Sequence, residues 1–291
     1  NGSIAGSNLD GSDFFIPLYD TLQMVRFISP IEFPIIKNSG ETIEIKIKSK
    51  INGQINLYVD GQSVAQTIGD SLYYSYTTQN PGKYYIKYEM QSGGISYTDS
   101  TYFIVDSPQI VQDPPNNAIN GINYINDSSV VLVLEAPYKD FVYVIGDLNN
   151  WELDPSYKMN KSQNGNKYWI EINNLLPNVE YMFQYFVDAK IKIADPYSRK
   201  ILSEYDQYIP SSIYPNLISY PYEKTTHAVS VIETNKEEYV WQTQNFVKPD
   251  SRDLVIYELL IRDFSFRSDY QTVIDSLPHL KKLGVNAIEL M

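Results

Sequence analysis

Carboxylates are the residues of this chain whose type and placing come nearest to catalytic chemistry. Asp263 stands just beyond the apolar run "LVIYELLI" of residues 254–261, and Glu289 lies inside a second one, "VNAIEL". A carboxylate works as proton donor, acceptor or nucleophile when a second group is placed to complete the step. No second carboxylate of the sequence is matched to Asp263 or Glu289 in that way. Glu258 and Arg262 have the spacing of a structural ion pair. The histidines, His227 and His279, share no metal-ligand spacing. With no cysteine there is neither a thiolate metal site nor a disulfide framework. Three Asn-X-Ser patterns, at Asn1, Asn126 and Asn160, match a glycosylation acceptor, and chance accounts for them in a chain rich in both residues. Aromatic faces stack on sugar rings, but the 26 tyrosines suit strands equally well and need no ligand to explain them.

The charge narrows the partners. A net charge of −12 argues against nucleic acid, which needs a basic footprint, and fits a neutral polysaccharide or a small molecule. No run of eighteen apolar residues is present, so no helical membrane span is expected. The opening "NGSIAGSNLDGSD" reads as a flexible leader over residues 1–25, left by processing or trimming. A signal peptide upstream of it would make the protein periplasmic, cell-surface or secreted, and export is the expectation.

The elements that must position these residues are mostly strands. In "ETIEIKIKSK", Ile43, Ile45 and Ile47 alternate with charges; "GQINLYVDGQ" runs into an Asp60-Gly61 turn; "GKYYIKYEM" and "ISYTDSTYFIV" flank Ser92-Gly93-Gly94. Short strands at this spacing predict an immunoglobulin-like β-sandwich over residues 26–108. After a Pro- and Asn-rich border, "VVLVLEAP", "FVYVIGDLNNW", "KYWIEINNL" and "VEYMFQYFVD" predict a second sandwich over 109–228. Residues 229–253 read as a linker. Beyond Asp253 the period changes: "LVIYELLI" has the length and continuity of a strand covered on both faces. Ser268 or Asp269 can cap a helix with Val273, Ile274, Leu277, Leu280 and Leu283 on its apolar face. Pro278 should kink that helix, Gly284 stops it, and "VNAIEL" is the next strand, which completes a βαβ unit over 254–291.

Five stretches resemble one family. "YVIGDLNNW", followed by "FQYFVD" and "ADPYSRK", looks like the N-terminal early-set sandwich of the α-amylase superfamily, a domain related to carbohydrate-binding module family 48. "LVIYELLIRDFS" and "LPHLKKLGVNAIELM" look like the first strand, first helix and second strand of the glycoside hydrolase family 13 barrel. The fold class expected is therefore mainly β, with two tandem immunoglobulin-like sandwiches followed by a truncated βαβ unit of a TIM barrel. The pullulanase-like, isoamylase-like and neopullulanase-like members have this order of parts.

The resemblance implies that the intact enzyme cleaves α-glucosidic bonds of starch, glycogen or pullulan by a retaining double displacement. Such a mechanism sets the nucleophile and the acid about 5–5.5 Å apart. The family places its three catalytic carboxylates after barrel strands four, five and seven. None of them matches a residue here, and Asp263 falls on a position of barrel-top architecture. The fragment itself is thus expected to be inactive, without cofactor, with calcium admitted only for the intact enzyme. Its implied partner is an α-glucan, and the cut barrel segment could self-associate or pack on the second sandwich. In starch-binding relatives of the second sandwich, the Trp after "NN" stacks on glucose, which makes Trp151, with Gln184 and Lys190, the candidate sugar-binding set. The chain departs from that pattern where a second Trp aligns with Ile191 and a sugar-holding Lys aligns with Gln184, which favours a structural role. The alternative is a non-catalytic α-glucan-binding or surface-display module in which the sandwiches do the work.

Overall fold

The structure, a computed structural model, describes residues 3–7, 13–17, 24–31, 34–237, 239–243 and 245–291. The predicted leader falls largely outside the described residues. Within it, β1 (Ser3–Ser7) and β2 (Asp13–Pro17) form an antiparallel pair.

The first sandwich is built from one sheet folded over on itself. Its strands are β3 (Val25–Ser29), β4 (Ile36–Lys37), β5 (Thr42–Val59), β6 (Gln62–Thr77), β7 (Gly82–Ser92) and β8 (Ile95–Val105). They run in the order β3-β5-β7-β8-β4, with β6 on β5. The β5–β6 ladder breaks between Lys48 and Gly53, where the register shifts. Before the break β5 pairs with β3, and after it with β7, so the long hairpin supplies both layers. Ile43, Ile45 and Ile47 from the first half share one core with Ile55, Leu57 and Val59 from the second. Gly53 permits the bend, since a Cβ there would sit 2.4 Å from the Gln91 carbonyl oxygen. Alternation places the isoleucines inside and the charges outside, while the bulge turns two runs of that alternation toward each other.

The second sandwich has two separate sheets. One runs β12-β13-β10-β9 and the other β11-β14-β17-β16, with β15 on β14. The strands are β9 (Gly121–Asn126), β10 (Ser129–Glu135), β11 (Val142–Gly146), β12 (Asn160–Lys161), β13 (Lys167–Ile172), β14 (Glu180–Val187), β15 (Ile191–Ile193), β16 (Ile201–Leu202) and β17 (Val229–Glu233). Val130, Leu132 and Tyr168 from one sheet meet Val144, Phe183 and Tyr185 from the other. The outer face of β11 and β14 is buried too. Tyr143, Ile145 and Phe186 pack against Ile104, with Ile36 and Tyr102 of the first sandwich at its edge. The sandwiches therefore share a core at their junction.

Strand β17 corrects the sequence reading, which began a linker at Val229. "VSVIE" pairs with β14 and β16, turning Ile232 to the main core and Val229 and Val231 to the opposite face. Five residues after a proline-punctuated stretch carry too little period to announce a strand.

The last unit is β18 (Ile256–Leu259), a short α1 (Ile261–Phe264), α2 (Tyr270–Lys282) and β19 (Ala287–Leu290), with β18 and β19 parallel. The Asp269 side chain accepts the Thr272 N–H at 2.8 Å and caps α2. The helix runs through Pro278 without ending. The expectation of a doubly covered strand needs correction: Leu259, Val273 and Leu280 are buried, but Val255 and Ile256 are half exposed.

Candidate functional site

The segment "GDLNNW" folds into a compact turn that ties β11 to β14. Asn149 Oδ1 accepts the Gly146 N–H at 2.9 Å, and its amide donates to the Val144 carbonyl at 2.8 Å. Asn150 and Trp151 then adopt left-handed backbone angles, φ 54° and 65°. Asp147 accepts the Trp151 indole N–H at 3.0 Å on one oxygen and the Met182 backbone N–H at 2.8 Å on the other. This network points the indole inward. Trp151 is 8% exposed and packs with Leu202, Tyr220, Val229 and Val231.

Gln184, on the same outer face of β14, is fully buried. Its amide donates to the Thr226 and Ala228 carbonyls at 2.8 Å each, and its oxygen accepts the Thr225 hydroxyl at 2.6 Å. A buried amide so bonded fastens the 220–228 segment onto the sheet. Lys190 is exposed in the turn between β14 and β15. The three residues named for sugar binding thus do not form one open surface. Trp151 and Gln184 face the covering segment of residues 202–228, while Lys190 faces solvent.

The carboxylates are distributed differently from the sequence expectation. Arg262 pairs with Asp263 at 2.9 Å rather than with Glu258, and holds the Asp263 carboxyl below its usual range. Glu258 and Glu289 are cross-strand partners on β18 and β19, both exposed, a juxtaposition that needs the parallel register and is invisible in the sequence. His227 is exposed in a left-handed turn, its carbonyl accepting the Tyr220 hydroxyl at 2.6 Å; His279 is exposed near the end of α2. Among the described residues no group of three or more histidines and carboxylates is placed to hold a metal ion. Two carboxylates serve the scaffold: Asp106, partly buried at the junction of the sandwiches, and the buried Asp195, which accepts the Tyr185 hydroxyl.

No protein-family model matches the chain. Isoamylase 1 of Arabidopsis thaliana is 27% identical over 158 residues, 48% of this chain and 19% of the relative. The malto-oligosyltrehalose trehalohydrolase of Saccharolobus solfataricus is 31% identical over 137 residues, 46% of this chain and 19% of the relative. The chain is related to the glycoside hydrolase family 13 enzymes. The matched stretch thus spans less than a fifth of either family 13 relative. Among solved structures, the pullulanase of Bacillus acidopullulyticus superposes with a TM-score of 0.38 at 17% identity, over 86% of this chain and 35% of that one.

Two exposed aromatic side chains follow β17. Tyr239 and Trp241 contact each other edge to face at 5.1 Å, and both are largely exposed. The sequence reading passed over them, although "YVW" in an otherwise polar stretch is a visible signal.

Proposed function

We propose that this chain is the scaffold portion of an α-glucan-active hydrolase of the isoamylase and pullulanase type. The observation that carries the proposal is the sequence relation to isoamylase and to the trehalohydrolase over about half of the chain. The chemistry is hydrolysis of an α-glucosidic bond with retention. One carboxylate attacks the anomeric carbon while a carboxylic acid protonates the leaving oxygen, and water then releases the sugar from the covalent intermediate. On this reading residues 254–291 begin the catalytic barrel, whose active residues belong at the C-terminal ends of its strands. Asp263 and Glu258 support that start and perform no step. Export of the protein is part of the same proposal.

On this reading the two sandwiches are the support that precedes the barrel's first strand. The shared core around Ile104, Tyr143 and Phe186 makes them one support, and β17 leads from it into the segment before β18. The test is release of reducing ends from amylopectin, glycogen and pullulan. The complete gene product should hydrolyse at least one of them, and the 291-residue chain none. Hydrolysis by the 291-residue chain, or none by the complete product, would overturn the proposal.

A further inference from the structure

We infer that a cleft at one end of the second sandwich, walled by Tyr124 and Tyr239, is a secondary binding site for an α-linked gluco-oligosaccharide. The choice of an α-glucan rests on the function proposed above; the site itself rests on the following geometry.

The cleft has a volume of about 430 Å³, within the ~300–1,000 Å³ of small-molecule sites. It opens between the end of β9 with the turn that follows, and the end of β17 with the segment after it. Its base is firm. The Thr234 hydroxyl donates to the Asp127 carbonyl at 2.7 Å, and the Asn178 N–H donates to the Thr234 carbonyl at 2.9 Å. Thr234 is buried, so the two walls are joined beneath the opening.

Each wall carries an aromatic ring. Tyr124 is 42% exposed and Tyr239 is 72% exposed. Trp241 stands edge-on to Tyr239, so that ring has a fixed neighbour. Such amphipathic rings offer an apolar face together with a polar edge, and the C–H face of a pyranose is the complementary surface.

The polar lining suits hydroxyl groups better than ions. Asp127, Glu233 and Glu237 balance Arg199, Lys200 and Lys236 in charge. Lys200 is paired with Glu180 and Lys236 with Glu233, so two of the cations already have counterions. Asn126 turns its oxygen to the Ser128 N–H at 2.8 Å, which leaves its amide hydrogens as donors. Asn235 and Glu237 supply acceptors. Neighbouring donors and acceptors between two rings match a ligand whose every hydroxyl both donates and accepts. Trp151 does not line the cleft, and neither the family resemblance nor the sequence relatives designate it.

The test is calorimetric titration of the full chain with maltoheptaose and with cellohexaose, together with backbone amide shift mapping. Maltoheptaose should bind, shift amides at 124–127 and 233–239, and bind at least tenfold more weakly to Tyr239→Ala. The exposed position of Tyr239 favours folding of that variant, and the map on the unmodified chain is decisive should it fail. Binding of cellohexaose alone, with the same map, would uphold the cleft as a sugar site while overturning its α-glucan assignment and weakening the function proposed above. No binding of either sugar, or amide shifts confined elsewhere, would overturn the site and leave hydrolysis by the complete gene product untouched.

Discussion

The Tyr143 hydroxyl donates to Asp106 Oδ1 at 2.6 Å, and the bond crosses the junction of the two sandwiches. Lys158 meets the other Asp106 oxygen at 2.7 Å and donates to the Ser107 carbonyl at the same distance. The Asp106 and Lys158 side chains are 10% and 8% exposed. Burial first, and then the bond to Asp106, raise the Tyr143 phenol far above its ordinary range, so it serves as a fixed donor. The Lys83–Glu152 pair, with the Lys83 ammonium 4.2 Å from the Tyr102 ring centre, makes a second tie across the same junction.

Removing one partner of this junction should cost more than removing both. Asp106→Ala leaves the Lys158 ammonium buried without its counterion, a loss of about 3–5 kcal/mol. Asp106→Ala with Lys158→Met should recover much of it. Urea unfolding of the two variants checks the ordering, and a double variant less stable than the single one would refute it.

Asp195 should make the chain's stability depend on pH in the sense opposite to a surface carboxylate. Its side chain is buried, and burial raises its carboxyl pKa despite bonds from the Tyr185 hydroxyl and the Tyr197 N–H at 2.7 Å each. The folded state therefore holds this proton more tightly than the unfolded state, whose Asp titrates near ~3.9. Stability from this group is present at low pH and is lost as pH rises from there through the folded pKa. Asp195→Asn can still bond both partners, and should gain on the parent between pH 4 and pH 7. Urea midpoints across that range test it; a difference that does not change with pH would count against the assignment.

Trp151 should matter to stability and not to glucan retention. Trp151→Ala removes a buried ring and the 3.0 Å bond to Asp147, which costs about 3–5 kcal/mol. Trp151→Phe should fold and migrate through an amylopectin gel as the parent does. Lost retardation in a folded Trp151→Phe would restore Trp151 as a sugar platform.

Gly146→Ala should disrupt the second sandwich at the end of β11. A Cβ at that position would lie 2.2 Å from the Met182 carbonyl oxygen and 2.8 Å from the Phe183 Cα. Those atoms belong to the paired backbone of β14, so relief requires parting the strands. Overpacking of this kind costs about 1–3 kcal/mol or more. A thermal midpoint equal to the parent's would show that the strands can part freely.

The sequence by itself determined the β-rich class, the alternating faces of Ile43–Ile47, a helix cap at Ser268 or Asp269 and the strand–helix–strand order near the end. These rest on period and capping chemistry, which act over a few residues. Tertiary structure alone decided what the outward face of each strand meets. Phe186 and Trp151 lie against opposite parts of the same outer surface, one closed by Ile104 and the other by Tyr220. Asp106 finds Tyr143 across 37 residues of chain, and Gln184 finds Thr225 across 41. The bend at Gly53 and the strand at Val229 also depend on distant partners. Local pattern tells a residue which side of its strand it occupies, but the material packed on that side comes from long-range closure of the chain. That is why "NNW" admitted both a sugar platform and the favoured structural role, and only the folded chain shows what buries the indole.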